Sequence, residues 1–232
     1  MTRPSYAFIP CRAGSQRVPH KNTRPLAGFP GGLLERKLRQ ISKSELLAGV
    51  VLSTDDPVCM SIARDLAPSL AKPIEILDRP RELAIADTLD AFVAYVPTIM
   101  PEGDVVWMHV TSPFFGFEQM DLAVAAYRAA AEKGEASLMG VTRVQSFLWD
   151  EQGCVSHDRS IDKWPQTQDL RCFYEVNSSI FIIDRDVMRR ERDRITNDPI
   201  LHIVDRHCAF DVDWPDDFAF VERVLTLEGG GT

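Results

Sequence analysis

Very little in this chain invites covalent or metal cross-linking. Its five cysteines (Cys11, Cys59, Cys154, Cys172 and Cys208) are odd in number and scattered among 232 residues. No C-x-x-C pair occurs, so neither a disulfide framework nor a zinc site is indicated, and a reducing, cytoplasmic setting is expected. Nowhere do 18 apolar residues run together, and the start of the chain carries no leader-like pattern, so no membrane is expected as a partner. Positive charge is also in deficit. Lysine and arginine total 26 against 34 acidic residues, a formal net charge of −8, which argues against nucleic acid. Two common phosphate-binding signatures are missing, G-x-G-x-x-G and G-K-[ST], which sets aside a dinucleotide fold and the usual P-loop.

One local shortage runs the other way. No acid precedes Glu35. Within that acid-free stretch an apolar strand, Tyr6 to Ile9, breaks at Pro10 into a loop holding Arg12, Gly14, Ser15, Arg17, His20, Lys21 and Asn22. Glycine lets the backbone turn and approach a ligand, while hydroxyl, amide and cationic groups suit a triphosphate. The alternative is a solvated loop that happens to be basic.

The remainder alternates between short apolar runs and one-faced helical patterns. Strands are expected at Val50–Leu52, Ile74–Leu77, Val105–Met108, Ala136–Val144, Val176–Ile183, Leu201–Val204 and Ala209–Val212. Helices are expected over about 33–41, from Asp56-Pro57 with Ile62, Leu66 and Leu70 on one face, and over about 88–99, 117–133, 186–192 and 215–227. With 45% apolar content, this composes a single domain over 1–228, with 229–232 a fraying tail. Alternation of this kind predicts a three-layer α/β/α fold on a mainly parallel, mixed sheet. Residues 145–174 show no period and are expected to form a protruding arm or flap. Polar clusters recur at strand ends (10–22, 53–56, 78–90, 109–113, 175–179 and 211–213), where ligands gather in open α/β sheets.

Asp211-Val212-Asp213 is the second notable cluster. On a strand its two carboxylates would share a face and could hold Mg²⁺ beside substrate phosphates. The alternative is an acidic turn in which Asp213 caps the following helix.

The loop sequence IPCRAGSQRVPHKN resembles the N-terminal signature of the cytidylyltransferases that activate acidic sugars, I-P-A-R-x-G-S-K-x-[IV]-P-x-K-N. Cys11 replaces the usual alanine and Gln16 a lysine. FDVDWPDDF resembles the family's I-D-I-D-x-x-x-D-F, RPRELAIADTLD its R-P-x-E-L-A…T-L-D block, VVWMHVTSP its V-V-L-L-Q-P-T-S-P, and YEVNSSIFI its Y-x-x-N-G-A-I-Y-I. The matches are collinear from about residue 6 to 220. The resemblance implies a nucleotide-diphospho-sugar transferase-like fold, CTP and a small acidic acceptor as ligands, Mg²⁺ as cofactor, and a homodimer formed through the arm.

By position, the nucleotide would be bound by Arg12, Ala13, Gly14, Ser15, Lys21, Asn22, Arg79 and Thr88. The acceptor would meet His109, Thr111 and Asn177. Arg12, Lys21 and Asp211 would be catalytic, with Asp211 and Asp213 as metal ligands. Thr88 has a second reading as a helix cap, and His109 as a structural residue, a substrate donor or a base. Where the family has glutamine and an arm arginine, this chain has His109 and Thr167-Gln168, so a non-sugar acid such as a phosphonate stays open beside the ulosonic acids. From other classes, a D-x-D glycosyltransferase and a non-catalytic nucleotide-binding module are the competing readings.

Overall fold

The computed structural model describes residues 3–84, 89–134 and 136–229. A seven-stranded sheet runs in the order β3 (Ile74–Asp78), β2 (Leu47–Thr54), β1 (Ser5–Cys11), β4 (Asp104–Trp107), β8 (Phe173–Asp184), β5 (Ser137–Val144) and β9 (Ile200–Ile203). All neighbours pair in parallel except β8, which runs against both β4 and β5. The mainly parallel, mixed sheet matches the expectation.

Alternation along the central strands splits the core in two. Ala7 and Ile9 of β1 join Val106 and Met108 in one cluster. That face is covered by α1 (Gly32–Lys43), α2 (Pro57–Leu66), α5 (Phe117–Ala131) and α7 (Pro215–Leu227). Phe8 points to the other face, with Trp107, Phe181 and Ile183, beneath α4 (Asp90–Ile99) and α6 (Arg185–Glu191). A four-residue helix, α3 (Arg81–Ala84), precedes α4. The layers are therefore helix, sheet, helix.

Several boundaries differ from the sequence reading. β1 continues through Pro10 to Cys11, because Pro10 and Cys11 still pair with Ser53 and Thr54. Leu70 lies beyond α2, which passes into a single 3₁₀ turn at Ala67–Ser69. The expected strand at Ala209–Val212 is a turn followed by extended chain; Ala209 N–H donates back to the Asp205 carbonyl, and Val212 makes a ladder-like bond of 2.8 Å to Thr111. Asp56 caps α2 as expected, accepting from the Val58 amide at 2.9 Å.

Between β5 and β8 the only further strands are β6 (Trp149–Asp150) and β7 (Gly153–Cys154), a two-residue hairpin. Gln145 anchors this segment by donating to the Gln168 and Leu170 carbonyls at 2.8 and 2.9 Å. Beyond the anchor it exposes Trp149, Trp164 and Ile161, the last 85% accessible.

Candidate active site

Three segments meet outside the carboxyl ends of β1 and β4. The first is the loop after β1. Gly14 sits at φ +76°, a conformation that favours glycine, and open space surrounds it. The loop then tightens into a turn, with Lys21 N–H bonded to the Val18 carbonyl and Thr23 and Arg24 N–H to that of His20. Asn22 faces back, its amide 3.5 Å from the Arg12 carbonyl, and its own carbonyl accepts from Leu34 of α1. The Ala13 N–H donates to Asp55 at the end of β2, at 2.8 Å.

The second segment is the turn after β4, residues 109–115, which α1 holds from below. Buried Lys37 donates to the Ser112 and Phe115 carbonyls at 2.9 and 2.8 Å, and Arg36 and Gln40 both donate to Pro113. Burial, then Arg36, pushes the Lys37 ammonium down to about 7, with Asp211 pulling the other way.

The third segment carries Asp211 and Asp213. Lys21 Nζ donates to the Val212 carbonyl at 2.7 Å and lies 3.4 Å from Asp213. Arg17 pairs with Asp213 at 2.8 Å and packs its guanidinium 4.9 Å from the centre of the Trp214 ring. Asp217, in the first turn of α7, accepts back from the Asp213 and Trp214 amides, and Asp213 does not cap α7, whose N-cap position is Trp214. Burial raises the Asp211 carboxyl, reinforced by Asp213, while the Thr111 hydroxyl and Lys21 pull it back.

These segments enclose a cavity of about 470 Å³ lined by Arg12, Ser15, Gln16, Arg17, Lys21, Asn22, His109, Thr111, Ser178, Asp211 and Asp213, among others. A second cavity, about 680 Å³, is lined by Thr142, Glu175, Asn177, Ser178, Arg206, Asp211 and Asp213. The two share Ser178 and both carboxylates. Asn177 sits at a bulge, donating to Thr142 at 3.1 Å and accepting from Ser179 at 3.2 Å. Gly140 makes room for it, since a Cβ there would stand 2.9 Å from the Asn177 oxygen.

Arg79 lines neither cavity. It is buried, donating to the Ser53 carbonyl at 2.7 Å with its guanidinium over Phe92. Thr88 lies outside the described residues. The sequence reading left Arg17, Ser178 and Lys37 out of its candidate set. Arg17 was visible as a loop cation, but its bond to Asp213 spans 196 positions. Ser178 stands where the resembled motif has glycine, and its φ of +57° is the reason such a motif favours glycine there. Lys37 falls within the one-faced helical pattern of 33–41, and nothing local marks it as a site residue.

Whether the site suits a metal is tested by its carboxylates. Asp211 Oδ1 is buried and has no hydrogen-bond partner among the described residues. Among those residues no group of three or more potential ligands forms a ready-made cage. One orphaned carboxylate oxygen with a second carboxylate beside it fits Mg²⁺, which usually takes one or two carboxylates and completes its shell with water and substrate phosphate.

A mainly parallel sheet with helices on both faces, and a cationic loop with two carboxylates at its strand ends, defines the class: a nucleotidyltransferase. The profile of the cytidylyltransferase family matches residues 6–162, and the chain belongs to that family. It is 26% identical over 233 residues to the CMP-N,N'-diacetyllegionaminic acid synthase of Legionella pneumophila, covering 95% of this chain and 96% of that one. It is 25% identical over 220 residues to an N-acylneuraminate cytidylyltransferase of Streptococcus agalactiae, covering 92% of this chain and 51% of the relative. The chain thus spans about half the length of that streptococcal protein. Among solved structures, a CMP:2-keto-3-deoxy-manno-octonic acid synthetase complexed with CTP superposes with a TM-score of 0.68 at 14% identity, over 97% of this chain and 99% of that one. A 4-diphosphocytidyl-2C-methyl-D-erythritol synthase from Anaerococcus prevotii gives 0.67 at 13% identity, over 97% and 96%. At such identities these structures speak for the fold. Among the described residues no helix is long and apolar enough to cross a membrane.

Proposed function

We propose that this cytidylyltransferase transfers CMP from CTP to a small acidic acceptor, an ulosonic acid of the sialic type, and releases pyrophosphate. The observation that carries the reading is the shared wall. Asp211 and Asp213 border both a cavity lined by Arg12, Ser15 and Lys21 and a cavity lined by Asn177. A triphosphate beside Arg12 and Lys21 in the first, and an acid held between His109 of the first and Asn177 of the second, would meet at these carboxylates. Two relatives named for sialic-type acids support the same acceptor class.

In this mechanism an acceptor oxygen attacks the α-phosphorus, the bond to the bridging oxygen of the β-phosphate breaks, and pyrophosphate departs. Arg12 and Lys21 offset the charge that builds on the phosphate oxygens, and Ser15 and the Gly14 turn add hydrogen-bond donors. Asp211 and Asp213 would hold Mg²⁺, which supplies charge neutralisation and lowers the acceptor oxygen's pKa when bound. Arg17 fixes Asp213, and Thr111 fixes the chain around Asp211 through its bond to Val212. Arg79 sets the end of β2 from behind and acts on the nucleotide side through that strand. A homodimer joined by the arm is supported by its exposed Trp149, Ile161 and Trp164.

A phosphonate acceptor is the second reading, favoured by His109 and Thr167-Gln168 standing where the family carries glutamine and arginine. Incubation with each NTP, Mg²⁺ and a panel of ulosonic and phosphonic acids, with pyrophosphate as readout, separates the readings. Release with CTP and a sialic-type acid, abolished by EDTA, is expected. Release only with phosphonates, or with no acid at all, would refute the acceptor assignment.

A further inference from the structure

We propose that Trp107 locks the ring of His109 so that His109 meets the acceptor as a neutral Nδ1–H donor and takes no part as a base; this rests on the acceptor-binding role given to His109 above. Tandem departures at the end of β4 carry the argument, tryptophan and histidine where the resembled motif has leucine and glutamine. Residues 107 and 109 are two apart at a strand end, so they lean to one side. The Trp107 indole N–H, which can only donate, lies 3.1 Å from His109 Nε2. That nitrogen must therefore present its lone pair to the indole, leaving the proton of the neutral ring on Nδ1.

The lock is stiff because Trp107 cannot turn. It is 2% exposed, and Phe8 and Phe92 meet it edge-on at 4.8 and 5.5 Å. Arg194 closes the remaining side, its guanidinium 5.1 Å from the Trp107 ring centre and 4.1 Å from that of Phe181. His109 itself lines the cavity that holds Arg12, Lys21 and Asp211.

The charged groups acting on His109 are Arg194 from the segment after α6, Lys21 from the β1 loop and Lys37 from α1. In their charged forms all three oppose a proton on the ring, and with burial as the larger cause they hold the imidazole down to about 4. A base whose lone pair is taken up by an indole, beside Arg194 and Lys21, is poorly placed to collect a proton. A donor in that position is well placed to receive an electron-rich oxygen. The chemistry selects an acceptor with an anionic oxygen, a carboxylate in the first instance, at the His109 end of the cavity. His109 does here, with a ring N–H, what an amide N–H would do in the resembled motif, and Trp107 is its positioning residue.

The direct test is tautomer-resolved NMR on the full chain labelled with ¹⁵N-histidine, assigning His109 by its loss in His109→Gln. The expected spectrum shows the Nδ1–H tautomer, unchanged between about pH 5 and 8, where a free imidazole would titrate. Trp107→Phe, which keeps the ring packing and removes the N–H, should release the tautomer into a mixture. An Nε2–H tautomer in the wild type, or titration in that window, would overturn the proposal.

The kinetic arm uses an acid that supports CTP-dependent pyrophosphate release. Loss of one donor should raise the acid's KM about tenfold in His109→Ala, with KM for CTP unmoved. His109→Gln should recover part of that loss without changing the shape of the kcat–pH profile. Loss of a limb of that profile in His109→Gln would make His109 a base and refute the claim. If no acid supports release, the acceptor reading fails and the tautomer alone decides this one.

Discussion

At the residue scale, Asp211 carries two opposing demands. Its carboxylate must be charged to serve a cation, yet burial pushes its pKa up, so the folded chain binds its proton more tightly than the unfolded chain does. Stability linked to that proton is present below the ordinary carboxylate range, near pH 4, and is lost as pH rises through the elevated native value. Asp211→Asn removes the charge and keeps the shape. It should cut turnover by about 10²–10³-fold while raising Tm at neutral pH, and the gain should vanish on acidification. Thermal melts of both proteins across pH check this; a neutral-pH Tm below wild type would show that the carboxylate stabilises the fold.

At the element scale, the informative place is the bulge where β8 leaves β5. Ser178 there adopts φ +57°, which costs a side chain about 1–2 kcal/mol that glycine does not incur. Ser178→Gly should therefore stabilise the chain by up to about 1 kcal/mol, after allowing for the greater freedom glycine gives the unfolded state. Urea titration reads the difference, and a loss of stability would mean the Ser178 side chain makes contacts worth more than the strain. Elements with strong periodicity were legible in advance. α7 spans Pro215–Leu227 as its apolar spacing and opening proline indicate, and β4 reads as the central strand that it is. The segment 209–212 was not legible, because a short apolar run looks the same in a strand and in a turn that leads into an extended chain. Long-range pairings were invisible for a different reason. Nothing near Lys37 or Arg17 announces the Ser112 carbonyl or the Asp213 carboxylate, which only the sheet topology brings within reach. The loop cations and the two carboxylates were legible as separate clusters, and their meeting at one cavity came from the fold.

At the scale of the whole molecule, the arm leaves Trp149 and Trp164 bracketing Arg159, with ring centres 5.2 and 5.0 Å from its guanidinium, and Ile161 nearly bare. Such a surface should be covered by a second copy. Sedimentation should report a dimer, and Ile161→Arg with Trp164→Arg should yield a folded monomer; a monomeric wild type would remove the arm from assembly. The deeper claim is that the basic loop near the start of the chain and the carboxylates near its end act on one triphosphate. A double-mutant cycle on kcat/KM for CTP, using Lys21→Ala and Asp211→Asn, measures that coupling directly. Each single change should cost about 10²–10³-fold, as when one charge-stabilising group is removed. The double mutant is expected to lose far less than the product of the single losses. Strict multiplication of the two would mean that Lys21 and Asp211 work independently, and would contradict the claim.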